Sequence, residues 1–183
     1  IPVVAASSPV DCFEAAIEAA RIAIEHMTPV ILLSDGFIAN SSDLWKVPDA
    51  SSIPDINCKF LTETEDTYLP FKRDPEYHVR EWVKPGTPDL QHLQTGLEKD
   101  ETGSISYDSA NHSKMCHNRK NKVDAIAKTY PKTKIQGKGS GKVLVIGWGG
   151  TYGNIHTAIN KIEKETDQVS YVHLRHIHPL PLD

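Results

Sequence analysis

Cysteine is scarce. Cys12, Cys58 and Cys116 are the only three in 183 residues, and no two form a Cys-x-x-Cys pair. That excludes a disulfide framework and predicts no iron–sulfur cluster in this chain. Such sparing use of cysteine fits a reducing, cytoplasmic setting. Long hydrophobic runs are missing too. Nothing approaches the ~20 consecutive apolar residues that cross a bilayer, so no membrane partner is expected. Nor is there an excess of positive charge: 20 Lys and Arg face 24 Asp and Glu, for a formal net charge of -4. This predicts no general affinity for nucleic acid or anionic lipid. The lysines between Lys114 and Lys142 are interrupted by Asp124 and read as a solvated face.

What remains is an ordinary globular composition, 39% hydrophobic and 24% charged, enough to bury a core in one or two small domains. Ile1 opens the sequence inside an apolar run and without methionine, so a piece of a longer polypeptide is expected. The run to Ala6 reads as a buried strand. Ser7-Ser8-Pro9 then starts a helix: Ser8 suits the N-cap, Pro9 the first turn, and Asp11 puts negative charge near the helix N-terminus. Apolar residues recur at helical spacing from Phe13 to Met27, and Thr28-Pro29 ends the pattern. Val30 to Leu33 is a continuous aliphatic run, the pattern of a parallel strand covered on both faces, and Ser34-Asp35-Gly36 follows it. This is a βαβ unit.

From about Asn40 the periodicity dissolves. Prolines at 48, 54, 70, 75, 85 and 88 forbid a long helix. Trp45, Tyr68, Phe71 and Trp82 still give this arm material to pack with, and irregular segments of such length serve function or interfaces. The arm is therefore expected to make subunit contacts, with Trp82 as an anchor. A polar, basic helix follows between Ser109 and Tyr130. Lys138-Gly139-Ser140-Gly141-Lys142 reads as a flexible domain boundary. Beyond it lies a second βαβ unit: a strand over Val143–Ile146, a glycine turn over 147–153, a helix over Ile155–Lys164, and a strand over Val169–Ile177. The fold class is thus α/β, with two partial parallel-sheet lobes (1–40 and 142–183) joined by a long irregular segment (41–141).

Several residues carry possible chemistry. Gly147-Trp148-Gly149-Gly150-Thr151-Tyr152-Gly153 lies between strand and helix, where backbone amides can hold a phosphate. Tyr152 stands where the dinucleotide fingerprint needs glycine, and the next strand ends in Arg175, His176 and His178 rather than an acid. A tight turn with close helix–strand packing explains the glycines as well. On one strand His176 and His178 would share a face and His173 would oppose them, so no metal site is expected. His112 and His117, five apart, do not share a helix face. Asp35, at the carboxyl end of a buried strand, is placed for substrate or subunit contact, and Asp-Gly is equally a turn pair. Ser7 and Ser8 are explained by capping. Glu98, Asp100 and Glu101 read as a charged surface loop.

Several stretches together resemble the alpha subunit of 2-oxoacid:ferredoxin oxidoreductases of the 2-oxoglutarate type. They are Ala6-Ser7-Ser8-Pro9 with Asp11-Cys12-Phe13, Thr28 to Asp35, Thr95-Gly96-Leu97-Glu98 with Asp100 to Gly103, Asn111 to Met115 followed by Arg119, and the turn at 147–153. They occur in the family's order and cover most of the chain. The resemblance implies that residues 1–40 end a domain contacting the pyrimidine of thiamine diphosphate. It also implies that 41–141 form an arm, a basic helix and a linker, and that 142–183 start a transketolase-C-like domain. It implies oxidative decarboxylation of a 2-oxoacid to acyl-CoA with reduction of ferredoxin, in a complex using thiamine diphosphate and magnesium. Those would be held mainly outside this chain, by a beta subunit, and coenzyme A and ferredoxin would be partners of the complex. The glutamate that activates the pyrimidine would lie upstream of Ile1, so no catalytic or cofactor-binding residue carries over. Two other classes remain open at this stage: a non-catalytic α/β interaction module, which an exposed apolar sheet edge would favour, and a nucleotide-binding enzyme using the glycine turn.

Overall fold

The structure, a computed structural model, describes residues 1–64 and 66–181. Strand β1 (Val3–Ala5) leads through helix α1 (Asp11–Glu25) to strand β2 (Ile31–Leu33), and the two strands pair in parallel with Val4 opposite Leu32. The expected cap is present. Ser8 Oγ accepts from the Asp11 N–H at 3.1 Å, and the Asp11 carboxylate reaches back to the Ser7 N–H at 2.8 Å, an exchange that satisfies donors at both sides of the helix start. Ala15, Ala19 and Ile22 form the buried stripe of α1. Small alanines let the helix lie close to the sheet. A short helix α2 (Gly36–Asn40) follows β2. The core of this part gathers Val4, Ala6, Ala15, Ile22, Ile38 and Ile126.

Ile126 comes from helix α3 (Ser109–Ile126), the basic helix read from the sequence, whose last turns close the first core. Among its described residues, the arm before it contains a 3-10 turn (Ala50–Ser52), the short parallel pair β3 (Phe60–Leu61) and β4 (Trp82–Val83), and an isolated bridge between Lys99 and Ile105. It lies on its own chain. The Trp82 indole N–H donates to the Ile24 carbonyl at 2.9 Å, and Phe13 meets Trp45 with ring centroids 5.3 Å apart. Trp82 therefore anchors the arm to the carboxyl end of α1, because an indole N–H that leaves water needs an acceptor and finds one there.

The second unit comprises strand β5 (Ile135–Gln136), strand β6 (Val143–Trp148), helix α4 (Tyr152–Ile162) and strand β7 (Val169–Leu174), in sheet order β5-β7-β6. β6 and β7 are parallel and β5 is antiparallel to β7. Within the 138–142 segment, Lys138 pairs with Asp167, and the Gly139 N–H donates to Ser170 Oγ.

Two strand readings need correction. Val169–Ile177 is not one strand. The chain turns at Arg175, and residues His176–His178 form a separate strand β8, which leaves the second sheet and pairs antiparallel with β1, Val4 opposite His176. Moreover, neither apolar strand is covered on both faces. Leu144, Ile146 and Trp148 of β6 are exposed, as are Ile31 and Leu32 of β2. Both strands sit at sheet edges, and α4 covers only one face of β6.

Candidate functional site at the seam between the sheets

Carboxyl ends of parallel strands are where open α/β sheets gather their ligands. Here the carboxyl ends of β1, β2, β6 and β7 meet across one seam. Asp35, just beyond β2, spans it. Its Oδ1 accepts from the Ile38 N–H at 2.8 Å and caps α2, while its Oδ2 accepts from the Gly150 N–H at 2.8 Å in the glycine turn. These two backbone donors, Ile38 first and Gly150 second, hold its carboxyl below the usual carboxylate range. Gly149 and Gly150 of the turn lie against this carboxylate. A Cβ on Gly150 would stand 2.5 Å from Asp35 Oδ2, and Gly149 has φ +64, the left-handed region that favours glycine. The anion held by this amide is therefore the protein's own carboxylate.

A second link is ionic. Arg175, at the bend between β7 and β8, donates to Asp11 Oδ1 at 2.5 Å and to Glu18 Oε2 at 2.6 Å, and Glu18 Oε1 meets His176 Nε2 at 2.8 Å. Asp11 and Glu18 lie two helical turns apart on one face of α1. Burial by itself would raise Glu18. The hydrogen bonds from His176 and Arg175 outweigh it and bring the carboxyl down to about 2. Asp11 is held low in the same way, its burial opposed by Arg175 and Ser7. The His176 ring is buried and stacks on Tyr130 with centroids 3.6 Å apart, and burial pushes the Tyr130 phenol up to about 12.

Beside this cluster opens a cavity of about 510 Å³ lined by Tyr152, His156, Tyr171, His173, Arg175 and His176, with residues 131–136 at its rim. Tyr171 hydroxyl meets His173 Nδ1 at 2.6 Å, and burial depresses the His173 imidazole. His173 and His176 thus share a cavity, contrary to the single-strand reading, because the bend at Arg175 turns them to it. His178 is exposed and pairs back toward Val3. Among the described residues no group of three His, Cys, Asp or Glu side chains is placed to hold a metal.

The other residues singled out from the sequence lie elsewhere. Ser7 and Ser8 serve the α1 cap. Glu101 pairs with Lys114, Asp100 closes a turn on Thr102 and Ser104, and Glu98 bridges His112 and Arg119. His117 bonds the Ser113 carbonyl, apart from His112. Sequence reasoning missed the Asp11–Arg175–Glu18 link. Its only trace was two acids a heptad apart on one helix.

Comparisons with known proteins converge. The family described as pyruvate flavodoxin/ferredoxin oxidoreductase, thiamine diphosphate-binding, matches residues 1–118. The 2-oxoglutarate oxidoreductase subunit KorA of Mycobacterium tuberculosis is 42% identical over 99% of this chain, which spans 28% of KorA. The alpha subunit of 2-oxoacid:ferredoxin oxidoreductase 1 of Aeropyrum pernix is 31% identical over 93% of the chain and 27% of its own length. Among solved structures, the 2-oxoglutarate:ferredoxin oxidoreductase of Magnetococcus marinus, with 2-oxoglutarate, coenzyme A and succinyl-CoA bound, superimposes with a TM-score of 0.91 at 29% identity. That match covers 99% of this chain and 32% of the solved one. The chain thus spans less than a third of each of these relatives.

Proposed function

Since the chain belongs to the pyruvate flavodoxin/ferredoxin oxidoreductase family with its thiamine diphosphate-binding domain, we propose that it is part of the alpha subunit of a 2-oxoglutarate:ferredoxin oxidoreductase. The reaction is oxidative decarboxylation of 2-oxoglutarate to its acyl-CoA, with the electrons passed to ferredoxin. The observation that carries this reading is the superposition of nearly the whole chain, across both sheets and the seam, on an enzyme of that activity.

Thiamine diphosphate supplies the carbanion-stabilising centre of such a reaction when bound. Its diphosphate does not fit the glycine turn, where the Gly150 amide already serves Asp35 and a second anion would meet that carboxylate. The same carboxylate speaks against a nucleotide phosphate there. Our reading leaves the diphosphate and magnesium to the beta subunit and gives this chain no catalytic residue. What its residues do is fix the seam: Asp35 latches the turn and shapes the face toward substrate or subunit, and Arg175 clamps α1. The division into the end of a pyrimidine-type domain (1–40), an arm with basic helix and linker (41–141) and the start of a transketolase-C-like domain (142–183) belongs to this proposal. The apolar face of Leu144, Ile146 and Trp148 would then be covered inside the oxidoreductase, which makes an interaction module and an enzyme part compatible readings.

The test is to assemble the native alpha polypeptide with its beta partner and follow ferredoxin reduction. We expect turnover that requires both coenzyme A and 2-oxoglutarate and exceeds that with pyruvate. A thiamine-loaded complex that oxidises no 2-oxoacid would reject the reaction class, and a preference for pyruvate would reject the substrate.

A further inference from the structure

Away from the seam, helix α3 carries a nucleophile with its partners in place. Cys116 is exposed, whereas Cys12 and Cys58 are half-buried. One turn before it, His112 presents Nε2 to Cys116 Sγ at 3.6 Å. The other ring nitrogen, Nδ1, lies 2.7 Å from Glu98 Oε1. A carboxylate can only accept, so Nδ1 carries the proton and Nε2 is left with a lone pair toward the sulfur. One turn after Cys116, Arg119 completes the set: Nη2 donates to Sγ at 3.1 Å and Nη1 to Glu98 Oε2 at 2.7 Å. Glu98 therefore holds both the base and the cation. This is the nucleophile–base–orienter arrangement of thiol chemistry, with a guanidinium facing the charge that the sulfur carries when it attacks.

We propose that Cys116 is a thiol-modification site that takes anionic low-molecular-weight disulfides. The surroundings select that class. Besides Arg119, helix α3 carries Lys114, Lys120 and Lys122, against Asp124 on the same helix and Glu98 and Glu101 laid on it, which leaves a small excess of positive charge. Lys114 and Lys120 are paired with Glu101 and Asp124, while Lys122 donates to the Met27 carbonyl. The chemistry balances as disulfide exchange. His112 Nε2 takes the Sγ proton, and Sγ attacks one sulfur of the disulfide. The old S–S bond breaks and its electron pair leaves with the departing thiolate, which takes the proton from His112. One small disulfide and one protein thiol become one mixed disulfide and one small thiol, with no other oxidant. The site rests on side chains outside the seam and is independent of the proposed reaction.

The experiment is rapid mixing of the native protein with dithiobisnitrobenzoate, a dianionic disulfide, and with the neutral dithiodipyridine, each modified cysteine being assigned by peptide mass spectrometry. Cys116 is expected to react about tenfold faster than Cys12 or Cys58 with the dianion. That advantage should shrink with the neutral reagent. Cys116→Ser should remove the fast phase, and His112→Asn or Glu98→Gln should slow it with the circular dichroism unchanged. Equal rates for the three cysteines in the folded wild-type protein would overturn the site. A Cys116 advantage equally large with the neutral disulfide would overturn the ligand class. The wild-type comparison decides both points even where a variant loosens α3.

Discussion

Arg175→Met removes the ionic link across the seam while keeping much of the side chain's bulk. Arg175, Asp11 and Glu18 retain only 28%, 14% and 18% side-chain exposure, so solvent cannot replace the lost partner fully. Carrying the Glu18 carboxyl from 4.5 to about 2 corresponds to roughly 3 kcal/mol in favour of the ionised, folded form. His176 supplies the larger part of that and remains in the variant, but Asp11 loses its partner as well. The expected cost at neutral pH is therefore about 2 kcal/mol, below the range for breaking a fully buried pair. For a chain of this length that lowers the Tm by about 4–8 °C. Because the folded-state carboxyl is depressed, its contribution is fully present above 4.5 and disappears as pH falls toward about 2. Urea melts of both proteins at pH 7 and at pH 4 provide the assay. The gap between them should narrow at the lower pH. A difference under about 0.5 kcal/mol at pH 7, or one that does not change with pH, would refute the clamp.

Gly150→Ala places a Cβ within 2.5 Å of Asp35 Oδ2 and should lower the Tm, and Asp35→Ala in the same background should add little further loss because the latch is already open. Fully additive losses in that double-mutant cycle would show that the two residues act separately. Trp82→Phe keeps the ring but removes the donor to Ile24. It should cost about 1 kcal/mol and hasten proteolysis between residues 40 and 100. Unaltered protease resistance would mean that the arm is held by other contacts.

The elements were readable because their signals are local. The serine-proline start of α1, the aliphatic runs of β1, β2 and β6, and the glycine turn each announce themselves within a few residues. Asp35 and Gly150 were both singled out, yet nothing in the sequence joined them, since a hydrogen bond across 115 positions leaves no periodic trace. The bend at Arg175 was hidden for a different reason. Val169 to Ile177 has uninterrupted strand propensity, and only the competition between two sheets for the same segment divides it. Exposure of Leu144 and Ile146 was likewise invisible, because an aliphatic run states a preference for burial and not which neighbour provides it.

The pairing of β8 with β1 has a kinetic side. Val3 finds its neighbour at His178, so the first sheet gains its third strand only from residues translated long after α1. Closing a loop of that span costs entropy before any strand contact repays it, and contacts so distant in sequence slow folding. During synthesis the open edge of β1 must wait, exposed, for its last partner. The second sheet pairs strands close in sequence and has no such wait. Single-site changes in β8, such as at His176, should therefore slow completion of the first sheet more than that of the second.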